Sequence, residues 1–275
     1  MGILDGKVAI IVGASSGVGY GCALRYAEEG AHVVAAARRL NKLEELKADV
    51  EGKGFTGTVL PVQCDIYKED DLDNLVDVTV KEYGHIDVLA CIAQGALNDQ
   101  HDLEHTDTAN ALSFFKGGPV YTLYLTQKVR PIMAEQGKGK IITCASGAGI
   151  RYTPHTTSYG MAKAAIISLT KTIAMEYGKY GIRCNCFLPV IQNDFFDKAE
   201  LGKDDPGIPV SIMQMLSPIG KMGGSYADGS PMLAWLGSDQ SDYINGQVFE
   251  IDGGIGQTSP ATVLTGLAAM KQEQQ

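Results

Sequence analysis

The sequence is short of the features that mark a secreted, membrane or nucleic-acid-binding protein. Its 275 residues include six cysteines, none in a CxxC pair. Cys22, Cys64, Cys91, Cys144, Cys184 and Cys186 lie mostly in apolar runs. They read as buried thiols of a reducing compartment, not as disulfides or metal ligands. No apolar run approaches the about 20 residues needed to span a bilayer. The start of the chain has no charged and apolar leader pattern. Gly6 stands where a myristoylation signal after Gly2 requires serine or threonine. A cytoplasmic protein is expected. Positive charge is also scarce: 23 Lys and Arg face 32 Asp and Glu, for a formal net charge of −9. The densest basic cluster, Arg38, Arg39, Lys42 and Lys47, forms no stripe. Nucleic acid and anionic membrane surfaces are therefore excluded as expected partners. There is no linker and no low-complexity tract, and 45% hydrophobic with 20% charged residues excludes long disorder and coiled coil.

What the chain has in quantity is glycine, 33 residues without a collagen period, the mark of many tight turns. Apolar β-branched runs at 7–12, 32–37, 58–63, 86–92, 140–145, 182–188 and 247–251 alternate with amphipathic stretches at 19–29, 42–50, 70–83, 120–135 and 158–177. The alternation predicts βαβ units and an α/β fold. Residues 1–275 are expected to form a single doubly wound Rossmann-type domain, a seven-stranded parallel sheet with helices on both faces. Its ligand belongs at the carboxyl ends of the strands. Three stretches break the rhythm. Residues 98–115 are polar and poorly periodic. Gly117-Gly118-Pro119 is expected to interrupt a helix, because proline removes a backbone hydrogen bond and clashes with the preceding turn. Residues 190–226, with Pro206, Pro209 and Pro218, read as a long loop of the kind that forms a substrate lid.

Val12-Gly13-Ala14-Ser15-Ser16-Gly17-Val18-Gly19 follows the first predicted strand and opens the first helix. Glycines there allow a tight turn and close approach of the backbone to a pyrophosphate, and the helix N-terminus offers free N–H groups. Outside this context a plain strand-to-helix turn would be as good a reading. The second strand ends at Ala37, where a carboxylate would hold the ribose hydroxyls of NAD. Arg38 and Arg39 follow instead. An arginine there pairs with a 2′-phosphate, which favours NADP over NAD. The plainer alternative is two solvated charges at a helix start. Asp65, past the third strand, suits either the adenine amino group or a helix N-cap before Leu72.

Tyr159-Gly160-Met161-Ala162-Lys163 lies in a strongly helical segment. Residues i and i+4 share a helix face, so the phenol and the ammonium can meet. A cation beside a phenol favours the phenolate and brings an ordinary pKa of about 10 toward working pH. Such a phenol is a general acid for ketone reduction or a base for alcohol oxidation. A bare Y-x-x-x-K is common on helix surfaces. Ser146 gives it meaning: it lies thirteen residues earlier, just past the fifth strand, where its hydroxyl can reach the same carbonyl oxygen.

From residue 7 to about 254 the sequence resembles the short-chain dehydrogenase/reductase family, and its hydroxysteroid dehydrogenase-like members in particular. The resemblance rests on the glycine loop and the Ser146, Tyr159, Lys163 set. It rests also on Gly181-Ile182-Arg183-Cys184-Asn185, and on Tyr243-Ile244-Asn245-Gly246-Gln247 leading into Ile251-Asp252-Gly253-Gly254. It implies hydride transfer between a nicotinamide cofactor and a carbonyl/alcohol pair. Tyr159 would donate the proton, Lys163 would hold the nicotinamide ribose and ease ionisation of the phenol, and Ser146 would orient the substrate oxygen. The implied cofactor groove starts at Gly13, Ser15, Ser16, Gly17, Val18, Gly19 and Arg38. It continues past Asp65, Ile66, Ala93 and Gln94 to Tyr159, Lys163, Pro189, Val190 and Ile191. The resemblance also implies a homotetramer or homodimer built on the helices at 120–135 and 158–177 and the last strand.

The match has gaps. The Asn-Asn-Ala-Gly common after the fourth strand is Cys91-Ile92-Ala93-Gln94 here, so Gln94 puts bulk where glycine lets a cofactor approach. The asparagine that orders a relay water in the family aligns with Gly117 or Gly118. Asn110 lies too far upstream to replace it unless the loop is rebuilt. The usual Pro-Gly after the sixth strand is Pro189-Val190, and the hydroxyl residue that caps the nicotinamide amide falls near Asp194, with Asn193 as a substitute. One reading is an active enzyme with a modified relay. The other is a fold that has lost turnover and serves as a cofactor sensor or oligomer scaffold. Retention of Ser146, Tyr159 and Lys163 favours the enzyme.

Residues 190–226 carry Phe195, Phe196, Ile208, Ile212, Met213, Met215, Leu216 and Met222. These suit an adaptable apolar pocket, though part of them would pack the lid onto the body. Cations there are limited to Lys198, Lys203 and Lys221, whereas a carrier-borne acyl substrate favours a basic rim. A bulky apolar carbonyl or alcohol, still a small-molecule substrate, is expected, a hydroxysteroid or bile acid first and other cyclic ketones as the alternative. Ser146, Gln94, His155, Phe195 and Met213 are the expected substrate contacts. Arg151 and Gln192 are further polar candidates, and a solvated loop histidine is the plainer reading of His155. The tail at 255–275 offers Val263-Leu264 and Leu267-Ala268-Ala269-Met270 for packing on a neighbouring subunit, or frays.

Overall fold

The computed structural model describes residues 1–95, 101–151, 154–192 and 210–258. Seven short, largely apolar segments form strands: β1 Val8–Val12, β2 His32–Ala37, β3 Thr58–Gln63, β4 Val88–Cys91, β5 Gly139–Cys144, β6 Ile182–Pro189 and β7 Val248–Ile251. All pair in parallel, in the order β3-β2-β1-β4-β5-β6-β7. The helices are α1 Gly17–Glu28, α2 Leu40–Gly52, α3 Glu69–Tyr83, α4 Thr108–Phe115, α5 Tyr121–Gln136, α6 Thr157–Tyr177, α7 Val210–Leu216 and α8 Ser230–Gly237.

The strands lack polar alternation because both faces of the sheet are covered. Along β1 every residue is buried. Ala9 and Ile11 join the core beneath α1, α2 and α8, while Ile10 and Val12 join the core beneath α3, α5 and α6. Each fully buried aliphatic side chain of this size stabilises the fold by about 1.5–3 kcal/mol. β1 lies between β2 and β4, so the chain reverses its direction of travel across the sheet there. The loops leaving β1 and β4 part at that reversal and open the crevice in which such sheets bind ligands. The seven expected strands and five expected helices are all present, with ends within two residues of expectation.

Three stretches differ from expectation. Residues 108–115 are not irregular but form α4, capped by Asp107, whose side chain accepts from Asn110 N. Gly117-Gly118-Pro119 does not break the helix. A π-helical turn, Lys116–Val120, carries α4 directly into α5. The wider turn accommodates a proline whose missing N–H would interrupt a regular α-helical ladder. Residues 190–226 are not a plain loop either. Ile191 bridges to Gly223, α7 lies within the stretch, and a second π-helical turn, Ser225–Gly229, leads into α8. Asn193, Asp194, Phe195, Phe196, Ile208 and the tail beyond Thr258 lie outside the described residues. No helix among the described residues is long and apolar enough to cross a membrane.

Candidate active site

The end of β1 is built for close approach. Gly13 and Gly17 turn with φ of +99° and +55°, a region that favours glycine. A Cβ on Gly13 would stand 2.8 Å from the backbone nitrogen of Ala93, so the loop after β4 closes on the loop after β1. A Cβ on Gly19 would collide with the carbonyl oxygen of Gly13, so α1 starts directly over the turn. No side chain caps α1 at Ser16, and its first turn holds no acidic residue. The leading N–H groups and the positive end of the helix dipole are thus left for an anion.

Arg38 and Arg39 follow β2 and are both exposed, but they are used differently. Arg39 folds back over the glycine turn and donates to Ser15 Oγ at 2.9 Å and to Ser16 Oγ at 2.8 Å. Arg38 lines an open cavity of about 350 Å³ with Gln63, Asp65, Lys68 and Asp71, at the carboxyl ends of β2 and β3. Asp65 is not the cap of α3, whose N-cap is Lys68. Its Oδ1 accepts from Tyr67 N at 3.1 Å, and its own N–H donates to Asp71 Oδ2 at 2.8 Å. Ile66, beside it, is half-buried against the core under α3.

Tyr159 and Lys163 lie on one face of α6. Lys163 is 2% exposed. Its Nζ donates to the Cys144 carbonyl at the end of β5, 2.9 Å away, and stands 5.5 Å from the centre of the Tyr159 ring. That ring also meets Phe114 edge-on, with centroids 6.2 Å apart. Ser146 caps the short 3₁₀ turn Gly147–Gly149, its Oγ accepting from Ala148 N at 3.2 Å. Its O–H remains a donor for something else. This turn packs on α6: a Cβ on Gly160 would sit 3.0 Å from the Ala148 carbonyl, and one on Gly149 2.8 Å from Ala164 N. Ser146, Tyr159 and Lys163 are thereby gathered at the end of β5.

One residue that sequence reasoning set aside comes from α4. Asn110 is 7% exposed, and its Oδ1 accepts from Ser158 Oγ at 2.5 Å. Read as too far upstream, it is brought beside the residue that precedes Tyr159. The available signal was Asp107 three residues earlier, the spacing of a helix N-cap. Gln94 spends its donors on the protein: Nε2 donates to the carbonyls of Gly95 and Phe114, at 3.1 and 3.3 Å. Tyr121 donates to the Ala93 carbonyl at 2.8 Å and holds the loop after β4 from the α5 side. Burial pushes its phenol well above the ordinary value.

The remaining expected contacts scatter. Val190 N donates to the Ile251 carbonyl at 2.9 Å, next to half-buried Pro189, and Ile191 is buried in its bridge to Gly223. Met213 on α7 is buried as well. His155 is exposed, with φ of +61°, uncommon for a side chain other than glycine. Arg151 is engaged: it pairs with Glu250, and its Nε donates to the Gly256 carbonyl at 3.3 Å. Phe195 lies outside the described residues.

A family model described as enoyl-(acyl carrier protein) reductase matches residues 13–256. The chain is 33% identical over 258 residues to the 7alpha-hydroxysteroid dehydrogenase of Bacteroides fragilis, covering 93% of this chain and 96% of that one. It is equally 33% identical over 255 residues to a 3-oxoacyl-(acyl-carrier-protein) reductase of Thermotoga maritima, covering 92% and 98%. A solved 7 alpha-hydroxysteroid dehydrogenase complexed with NADH and 7-oxo glycochenodeoxycholic acid shares the fold with a TM-score of 0.81 and 28% identity, covering 91% and 94%. With the parallel sheet, the glycine turn and the Ser146, Tyr159, Lys163 cluster, these matches make the chain an oxidoreductase of the short-chain dehydrogenase/reductase family.

Proposed function

We propose that the chain is an NADP(H)-dependent oxidoreductase that interconverts a secondary alcohol and a ketone on a bulky apolar substrate, with Tyr159 as general acid/base. The observation that carries this reading is the Tyr159–Lys163 pair. An ammonium that is 2% exposed, 5.5 Å from a phenol ring and beside a strand's carboxyl end, is not a surface pair that solvent would screen.

A nicotinamide dinucleotide fits the residues present, because the α1 N-terminus behind the glycine turn is uncapped by any side chain and its first turn holds no acidic residue to repel a pyrophosphate. When bound, it supplies or accepts the hydride. The protein's own part is the proton and the charge. In reduction the Tyr159 hydroxyl gives its proton to the substrate oxygen, and in oxidation the phenol oxygen takes it up. Lys163 stabilises negative charge on that phenol oxygen. The Ser146 hydroxyl donates to the same substrate oxygen and holds it in line. NADP is favoured over NAD because Arg38 and Arg39 stand where a ribose-binding carboxylate would be. The NADH of the solved hydroxysteroid dehydrogenase belongs to that protein.

The substrate is read as a hydroxysteroid or bile acid. Similarity to hydroxysteroid dehydrogenases supports this, and the acidic chain weighs against a carrier-borne acyl group. Six buried free thiols suit a reducing compartment and support a cytoplasmic protein. Exposed Leu123 on α5 and Met161 on α6, with exposed Val120 at the turn before α5, support a homotetramer or homodimer through α5 and α6, which light scattering in solution tests.

The experiment is turnover with NADP(H) and NAD(H) on a panel of steroid and monocyclic alcohols and ketones, with Tyr159→Phe as control. Turnover that prefers NADP(H) and is lost in Tyr159→Phe is expected. Cofactor binding without turnover on any panel member would overturn the reading and leave a sensor or scaffold.

A further inference from the structure

The departures from the family at Gln94 and at Gly118 meet in space. We infer that Gln94 is a positioning residue for Tyr159. Its amide occupies the room left by the absent Gly118 side chain and fixes the π-helical turn against which α6 rests. This inference rests on the reading of Tyr159 as general acid/base.

Gly118 is buried within the π-helical turn, and its φ is not in the left-handed region. Its backbone torsion therefore does not demand glycine; a neighbour does. A Cβ on Gly118 would lie 2.8 Å from Gln94 Oε1, 3.3 Å from Nε2 and 3.4 Å from Cδ. The whole amide lies over the bare Cα. Gly117 repeats the pattern, since a Cβ there would meet the Tyr67 hydroxyl and stand 2.9 Å from Gly95 Cα. The two glycines are thus the counterparts of two large side chains that enter from the loops after β3 and β4.

Those loops grip the helix through its carbonyls. Gln94 Nε2 donates to Phe114, Gly95 N donates to Gly117 at 2.9 Å, and the Tyr67 hydroxyl donates to Ser113 at 3.3 Å. A regular helix satisfies such carbonyls from its own backbone. The grip is passed on, because the ring of Phe114 abuts Tyr159 and Asn110, on the same helix, is bonded to Ser158. Gln94 is poorly explained as a stabiliser alone. Its Oε1 is buried with no hydrogen-bond partner among the described residues, an arrangement that disfavours the folded state.

An amide exchange tests this. Gln94→Met keeps the length of the side chain and removes both donated bonds. Its kcat should fall about fivefold to tenfold, the effect of one or two neutral hydrogen bonds, with the ketone KM and the NADPH Kd, read by fluorescence, each within about twofold of wild type. Gly118→Asn alone should lower kcat further, because its side chain meets the amide. Gln94→Gly with Gly118→Asn, which returns an amide from the helix side, should recover most of that loss, a positive coupling between two residues in contact. Wild-type kcat in Gln94→Met would overturn the inference. So would a loss confined to NADPH Kd or KM, or a double variant no better than Gly118→Asn. If Gln94→Met fails to fold, the comparison of Gly118→Asn with the double variant decides alone. Retained turnover in Tyr159→Phe would sink the underlying reading instead. Lost turnover there with an unaffected Gln94 series would sink this inference only.

Discussion

Asn110 Oδ1 accepts a 2.5 Å hydrogen bond from Ser158 Oγ, one residue before Tyr159. Both side chains are buried, at 7% and 3% exposure. The bond therefore joins α4 to the start of α6 where water does not compete. Removing Asn110 takes away the acceptor of the buried Ser158 hydroxyl, at a cost of about 1–3 kcal/mol. Asn110→Ala is expected to lose that much stability in urea unfolding, with unchanged m-value. Its kcat should fall as well, because the α6 N-terminus carrying Tyr159 loses a fixed neighbour. Ser158→Ala should give the same pair of effects, and the double variant less than their sum. Additive losses would show that the two residues act separately.

The two arginines after β2 give a second prediction. Arg39 is tied to Ser15 and Ser16, whereas Arg38 is turned to the open cavity beside Asp65. A 2′-phosphate bound there would be held by charge-assisted hydrogen bonds, each of about 1.5–3 kcal/mol. Arg38→Asp should weaken NADPH binding by about tenfold to a hundredfold and improve NADH binding, since a carboxylate accepts from ribose hydroxyls. Arg39→Ala should weaken both cofactors, because it also unties the glycine turn. Fluorescence titration of the two reduced cofactors separates these outcomes. Equal loss of NADPH and NADH in Arg38→Asp would remove Arg38 from the 2′-phosphate.

The fold and the grouping of Ser146, Tyr159 and Lys163 were legible because both are local in sequence. The pattern of β1 is dictated by burial on two faces, so five apolar residues in a row announce a covered strand. Tyr159 and Lys163 are one helical turn apart, and Ser146 is placed by the end of a strand whose limits the apolar run defines. The α4–α5 junction was not legible. Gly117-Gly118-Pro119 carries every sign of a helix break, and only packing reveals why it is not one. The glycines are vacancies for Gln94 and Tyr67, which lie more than twenty residues away in sequence, and the wider turn tolerates the proline. Asn110 was set aside for the same reason. Its partner is 48 residues downstream, and nothing in a linear pattern pairs them.

Thiol chemistry gives a third prediction. All six cysteines are buried. Burial pushes the thiols of Cys64 and Cys91 up to about 12 and that of Cys144 to about 11, the last despite the lowering effect of Lys163. The thiolate is the reacting form, so native thiols should be nearly silent toward a maleimide or disulfide reagent at pH 8. All six should react once the chain is unfolded in denaturant. Fast labelling of a native cysteine would mean that its strand opens on the time scale of the assay.

Acid should loosen a turn that packs against α1. Asp228 accepts from Lys221 Nζ at 2.6 Å and from Gly224 N at 2.8 Å, and these two bonds hold its carboxyl below the ordinary aspartate range. The turn it ties packs on α1: a Cβ on Gly21 would stand 2.6 Å from the Ser225 carbonyl carbon. A carboxyl whose pKa is lower folded than unfolded stabilises the fold fully above the unfolded value, about 3.9. That contribution disappears as pH falls through the folded value. With its side chain 33% exposed and Lys221 more so, Asp228 contributes at most about 1 kcal/mol. Asp228→Asn should therefore be less stable than wild type at pH 7 by up to that amount, and the difference should close as pH falls below about 3.9. NADPH affinity should follow the same course, since the proposed cofactor site uses the uncapped N-terminus of α1. A stability difference that grows on acidification would reverse the sign and exclude Asp228 as the group responsible.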